Sequence, residues 1–501
     1  MFVAAERHFV FKHVRALRRS MITVAMMIVF VLSGCAVGPD FRAPKAPTTN
    51  SYTAELLPAE TEAAPGVAGA AQRFALGKNI PQEWWTLLQS EELDRLIRQA
   101  LSDSPTVAAA KARLREADEN RRAQYGALFP AADANISASR QKISGAEFGQ
   151  AGSDISAFNL YNASVNISYA LDIFGGTTRK LEALQSQIDY QRFQLEGIYL
   201  TLTSNIVTTA VQDASLRGQV RAIRQIIESQ EKQLNIVEEQ FHLGGVPWSD
   251  VLAQRAQLAQ TQAVLPPMEK QLAQTRHQLA VLVGRLPSEA DLPEFDLDDF
   301  QLPEELPVSL PSLLVRQRPD IRAAEEVIHA ASAQVGVATA NLYPQITLTA
   351  SFGLEASTLG DLFSSGAAIW SLGGGLLQPI FHGGELTAKR RAAIAVYDQA
   401  AEQYRYTVLQ AFQNVADVLR ALAGDASTLK AQAEAEAVAR DTLDLTQKQF
   451  QLGAVSYLSL LNAERQYQQA LLALVQAQAA RFADTAALYQ ALGGGWWNRS
   501  P

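Results

Sequence analysis

The 501-residue chain has one cysteine, Cys35, which excludes an intramolecular disulfide and any cysteine-based metal site. Its six histidines (His8, His13, His242, His277, His329 and His382) never fall at H-E-x-x-H or other paired-ligand spacing. They read as surface or lumen residues. Gly373-Gly374-Gly375 lacks the lysine of a phosphate loop and sits inside a strand pattern, as a flexible or close-packed segment. Acidic residues are spread along helical stretches at positions expected to be solvated, and no clustered pair suggests acid–base work. Neither an enzyme, a metal nor a cofactor is expected. A formal net charge of −8, with no basic stripe in the mature part, argues against a nucleic-acid partner. No apolar run is long enough to cross a bilayer as a helix: Met21 to Leu32 is about 12 residues where about 20 are needed. With 19% charged and 48% hydrophobic residues, the composition fits neither a disordered chain nor a polytopic helical membrane protein.

That short apolar run is itself informative. Arg15, Arg18 and Arg19 precede it and Leu32-Ser33-Gly34-Cys35 closes it, the layout of a secretory signal over residues 1–34. The ending resembles the bacterial lipoprotein signal, which implies acylation of the Cys35 thiol and cleavage before it. Several acyl chains, at about 0.8 kcal/mol per buried CH2, make such an anchor effectively permanent. Ala36 follows where an aspartate would resemble an inner-membrane retention signal, so outer-membrane delivery is expected. Residues 35–80 are rich in Pro, Ala, Thr and Glu without a sustained apolar period and read as an extended tether.

The rest of the mature chain is one unit written twice. Gln240 to Val246 (QFHLGGV) returns as Gln449 to Val455 (QFQLGAV), and Leu252 and Gln257 are answered at the same offset by Leu461 and Gln466. Leu128-Phe129-Pro130 is answered by Leu342-Tyr343-Pro344, and Ile173-Phe174 by Ile380-Phe381. A repeat of this length is a duplicated domain-sized unit. Repeat 1 covers 81–285, with a hairpin at 131–172. A Pro-rich linker spans 286–311, repeat 2 covers 312–495 with a hairpin at 345–380, and 496–501 form a tail.

Each repeat opens with a helix that Pro130 or Pro344 stops. Two stretches of period-two alternation follow. Ile346, Leu348, Ala350, Phe352 and Leu354 alternate with Thr347, Thr349, Ser351 and Gly353; Val165, Ile167, Tyr169 and Leu171 alternate with Asn166, Ser168 and Ala170. Such strands suit either an ordinary half-buried hairpin or a transmembrane one. A long helical pattern comes next: Leu216, Val220, Ile223, Ile227, Leu234, Val237 and Phe241 keep 3–4 spacing, as do Val408, Phe412, Val415, Leu419 and Leu422. About 65 to 70 residues without proline make a rod near 100 Å long. Gly244 and Gly453 end the rods and shorter helices return, with Ser249 as an expected N-cap and a kink or break expected at Pro266-Pro267. Trp84-Trp85 and Trp496-Trp497 suit either interfacial anchors or packing near tether and tail.

Four strands per chain cannot close a barrel, and an open sheet cannot sit in lipid. If the hairpins cross the membrane, several chains share one barrel, and three give twelve strands. At this point the chain resembles the TolC-like outer-membrane factors of efflux pumps, in their lipoprotein branch. The resemblance rests on Cys35-Ala36-Val37-Gly38-Pro39-Asp40-Phe41, the paired Phe-x-x-Gly tips, and Ala491-Leu492-Gly493-Gly494-Gly495-Trp496-Trp497. It implies a mixed fold: a membrane β-barrel of twelve strands from a homotrimer, plus a long α-helical coiled-coil barrel in the periplasm. It also implies a passive duct for drugs or small solutes that meets a periplasmic adaptor protein and an inner-membrane transporter. The hairpin tips are expected to dock the adaptor through Gly244, Val246, Ser249, Asp250, Leu252, Gly453, Val455 and Ser456. A protein-secretion duct and a poreless structural periplasmic lipoprotein are the alternatives.

Overall fold

A computed structural model describes residues 36–55, 58–142 and 156–498, so Cys35 and the signal segment lie outside the described residues. In chain order the elements are β1 (Arg73–Leu76), α1 (Glu91–Asp103), α2 (Pro105–Tyr125), β2 (Ala131–Gln141), β3 (Phe158–Leu171), α3 (Gly176–His242) and α4 (Trp248–Leu282). Then come β4 (Glu305–Val308), α5 (Pro311–Gln317), α6 (Pro319–Ala340), β5 (Gln345–Ala356), β6 (Ala368–Leu377), α7 (Glu385–Gln451) and α8 (Tyr457–Ala491). Both long helices have 67 residues, about 100 Å at 1.5 Å per residue, and both return helices have 35.

The chain divides into two compact units. Of the described residues, one takes in 36–43 and those within Arg115–Asp189 and Glu325–Gln403. It holds an antiparallel sheet in the order β2-β3-β5-β6, in which β3 of the first repeat pairs with β5 of the second. Pro130 and Pro344 sit immediately before β2 and β5, where the missing N–H and fixed φ stop a helix.

The other unit takes in the described residues within Pro44–Leu114, Tyr190–Ala324 and 404–498. Leu216, Val220, Ile223 and Val237 of α3 are buried, as are Val408, Val415, Leu419 and Leu422 of α7. Ser90 caps α1 by accepting from the Leu93 N–H, and Glu91, Glu92 and Asp94 face the positive end of its dipole. Trp84 is buried and stacks on Tyr489 at 5.1 Å, while the Trp496 indole N–H donates to the Gln317 carbonyl at 2.6 Å. These tryptophans are packing groups.

Two expectations are corrected here. Of the kink or break expected at Pro266-Pro267, the break does not occur: α4 is helical throughout. The prolines leave two carbonyls without their usual partners, but Leu258 and Thr261 before them and Thr275 and Leu279 after them are buried and hold both halves in place. Pro247, not Ser249, is the N-cap of that helix; the Ser249 hydroxyl donates to Asp250 Oδ1 at 3.3 Å within the first turn. In the second repeat Ser456 does cap α8, accepting from the Ser459 N–H. The segment expected as a tether is fastened to the rest of the chain. Its β1 pairs in parallel with β4, and Glu62 accepts from Lys430 at 2.8 Å.

Candidate functional site

The sheet sorts its side chains by strand register. Ala134, Val165, Phe352 and Trp370 stand opposite one another across four strands, and so do Ala132, Ile167, Ala350 and Leu372. Side chains alternate between faces along a strand, so this face also carries Ile136, Tyr169, Leu348 and Leu376. The other face carries Asn135, Ser137, Ser164, Asn166, Thr349, Ser351, Ser371 and Gly373. Hydroxyls pair there, with Ser351 Oγ and Ser371 Oγ 2.8 Å apart, and Asn162 donates to Glu355 at 3.2 Å. On the apolar face Ile136 is 85% and Trp370 76% exposed. A Cβ on Gly373 would stand 3.1 Å from Thr349 Oγ1, which accounts for one of the three consecutive glycines.

The hairpin ends follow from local chemistry. Gly244 and Gly453 have φ of +75° and +72°. The following N–H groups, of Gly245 and Ala454, donate back to the Gln240 and Gln449 carbonyls at 2.8 and 2.9 Å, closing each long helix with a Schellman turn. Val237, Val251, Tyr457, Leu460 and Leu461 form a buried cluster, with Phe241, Val246 and Phe450 packed on it. The ends of the two hairpins therefore share one core. Among the expected tip residues Gly244, Ser249, Leu252, Gly453 and Ser456 are exposed, while Val246, Asp250 and Val455 are half-buried. Leu243, Leu452 and Leu458 present large apolar side chains to solvent beside them.

Not every carboxylate is solvated, contrary to the sequence reading. Asp213 is buried beside Arg217 at 3.2 Å and Arg276 at 3.7 Å; burial raises its pKa against both arginines. Asp484 is pushed up to about 7 by burial and by sharing a hydrogen bond with Asp425. Nearby, the fully buried Arg481 donates to Thr61, Ala70 and Gln72 of the tether. Burial pushes Glu464 up to about 7 as well. Periodicity contains the signal for Glu464, which lies two turns after the buried Tyr457 on the same stripe. Among the described residues no His, Cys, Asp and Glu cluster could hold a metal ion.

Immediately after Cys35 the chain is clasped. The Val37 N–H donates to the Phe174 carbonyl at 3.1 Å, and buried Arg179 donates to Asp40 at 2.7 Å and Glu182 at 2.8 Å. Phe41 stacks on His329 at 4.2 Å. Glycine is required where backbones meet: a Cβ on Gly38 would lie 2.4 Å from Gly336 Cα. The sequence singles out this motif but not its binding site, which lies far away in the chain.

Comparison with known proteins places these features. The family described as outer membrane efflux protein matches residues 96–285 and 310–494. Pyoverdine export outer membrane protein OpmQ of Pseudomonas aeruginosa is 32% identical over 418 residues, 83% of this chain and 88% of the relative. Antibiotic efflux pump outer membrane protein ArpC of Pseudomonas putida is 28% identical over 485 residues, 96% of this chain and 97% of the relative. The solved outer-membrane channel OprN superposes with a TM-score of 0.82 at 28% identity, covering 92% of this chain and 100% of its own. The chain belongs to the outer membrane efflux protein family, as the outer-membrane channel of an efflux pump.

Proposed function

We propose that three copies of this chain, each anchored by a lipid on Cys35, form a twelve-stranded barrel that is the passive exit of a tripartite pump. The observation that carries this reading is the sheet. It has an apolar face exposed to its surroundings, a small-polar face on the other side, and two unpaired edges, β2 and β6. Unpaired edges are not tolerated in lipid. Two copies would give eight strands, whose interior side chains fill; three leave a passage.

The repeat supports a particular joint between copies. Inside the chain β3 pairs with β5, and Phe174 stacks on Tyr343 at 4.8 Å and 21°. Their repeat equivalents are Phe381, 86% exposed, and Phe129, 56% exposed. In this reading β6 of one copy pairs with β2 of the next, and Phe381 meets Phe129 of the partner subunit. A Phe129→Cys, Phe381→Cys double variant should then give disulfide-linked dimers and trimers on oxidation, while neither single variant does. Native mass spectrometry showing trimers without any interchain crosslink would reject the joint.

The hairpin ends, with Gly244, Val246, Ser249, Asp250 and Leu252 in the first repeat and Gly453, Val455 and Ser456 in the second, are the surface for the periplasmic adaptor and, through it, the inner-membrane transporter. Relatives named for pyoverdine and for antibiotics support assigning cargo choice to that transporter rather than to the duct.

A further inference from the structure

Inside the chain the seam between α3 and α6 is rich in acids. Glu182 of α3 lies 3.1 Å from His329 of α6, whose other ring nitrogen lies 3.3 Å from Glu326. Arg179 packs over Gly336, where a Cβ would stand 2.8 Å from Arg179 Cγ. The clasp runs along this seam, with Asp40 on Arg179 and Phe41 on His329. The seam therefore opens to the side on which the chain leads back to Cys35. The repeat supplies a second seam of the same build. Aligned from Gly176 and Glu385, the equally long α3 and α7 coincide at Thr178 and Thr387, Lys180 and Lys389, Ala183 and Ala392, and Asp189 and Asp398. Aligned from Pro319 and Pro105, α6 and α2 coincide at Ala331 and Ala117. In the three-copy barrel, on which this inference rests, α7 of one copy meets α2 of the next as α3 meets α6.

Shape carries over to that second seam with the sizes exchanged: Arg179 over Gly336 becomes Ala388 beside Arg122 of the partner subunit. Charge does not carry over. Glu182 becomes Arg391, His329 becomes Arg115 of the partner subunit, and Glu326 becomes Ala112 of the partner subunit. The segment Ala36–Phe41, which brings Asp40, occurs once per chain. Arg115 and Arg391 are both exposed, and among the described residues neither has an ionic partner. The nearest acids are engaged: Asp118 and Glu119 pair with Arg122 at 2.9 and 2.8 Å, and Glu385 pairs with Lys389 at 2.5 Å. Two guanidinium groups thus face each other where the inner seam sets a carboxylate against an imidazole. We propose that each seam between copies binds the phosphate of an anionic lipid headgroup, bridged by Arg391 and Arg115 of the partner subunit, in the place that the clasp fills within each copy. The planar guanidinium fork matches phosphate oxygens two at a time. Arg391 lies about 9 Å into the helix that leaves the sheet, where headgroups rather than acyl chains border a membrane protein. Free phosphate offers the same oxygens without the chains.

Native mass spectrometry of full-length trimers in mild detergent tests this. Wild-type trimers, stripped of loose lipid and titrated with phosphatidylglycerol, should take up one phospholipid per seam. Arg115→Gln with Arg391→Gln should bind it about tenfold or more weakly, the loss expected for charge-assisted hydrogen bonds. Arg115→Lys with Arg391→Lys keeps the charge and should retain lipid. Inorganic phosphate should not compete at equal concentration; if it displaces the lipid, the ligand is free phosphate and the headgroup assignment is overturned. Without lipid the facing arginines repel, so the stripped wild-type trimer should dissociate at a lower temperature than the glutamine double variant. A stripped wild type at least as stable as that variant, as expected if Glu119 of the partner subunit neutralises Arg391, overturns the site. So does a double variant that binds lipid like the wild type. Absence of trimers counts against the three-copy reading, whereas trimers that hold no lipid overturn this site alone.

Discussion

Docking through the hairpin ends can be separated from the stability of those ends by changing Gly244 and Gly453 together. Both have positive φ, and a Cβ built at either meets nothing within 4 Å. The cost of Gly244→Asp with Gly453→Asp is therefore backbone strain and charge, not a clash. A left-handed conformation costs a non-glycine residue about 1–2 kcal/mol, and a carboxylate at a helix C-terminus adds about 0.3–1 kcal/mol. Against this stands the shared core of Val237, Val251, Tyr457, Leu460 and Leu461, each worth about 1.5–3 kcal/mol of apolar burial. The core outweighs the strain, so the double aspartate variant should fold and give a normal trimer yield by native mass spectrometry. It should nonetheless lose efflux, measured as drug accumulation in cells, and lose crosslinking to the adaptor. Gly244→Asn with Gly453→Asn shares the backbone demand without the charge and should keep efflux. An aspartate variant that trimerises, crosslinks to its adaptor and confers full resistance would refute docking at these ends.

Replacing Cys35 with Ser should abolish labelling by radioactive palmitate; undiminished label would remove Cys35 as the lipid acceptor. Glu464 also sets a pH dependence of stability. Its pKa is raised from 4.5 to about 7 on folding, so its stabilising contribution is complete below about pH 4.5 and is lost as pH rises to about 7. The loss approaches about 3 kcal/mol at 1.36 kcal/mol per unit. Thermal unfolding of wild type and Glu464→Gln over that range should show a gap that varies with pH, and a constant gap would contradict it.

Much of this protein is legible along the chain because it is duplicated. The QFHLGGV and QFQLGAV copies announce two hairpins, and the 3–4 spacing of Leu216 to Phe241 marks the buried stripe without reference to any partner. The strands were readable by alternation, but which environment they face was not, since the same pattern serves a soluble core and a lipid surface. What escaped is long-range. Arg73–Leu76 is too short to declare itself a strand until β4 lies beside it. The clasp of Gly38 and Asp40 depends on Gly336 and Arg179, remote in the chain. Glu464 shares the stripe of Tyr457, but acidic residues on helices usually face solvent, and that expectation outweighs the periodicity until both hairpins close over it. Pro266-Pro267 does not end its helix, since local propensity yields where both flanks are packed.

Three copies of the chain should together make one continuous passage. Purified, acylated protein reconstituted into a planar lipid bilayer tests it directly, with subunit number read by native mass spectrometry on the same preparation. Trimers should give discrete ion-conducting steps and monomers none. Trimers that insert without conducting, or monomers that conduct, would contradict it.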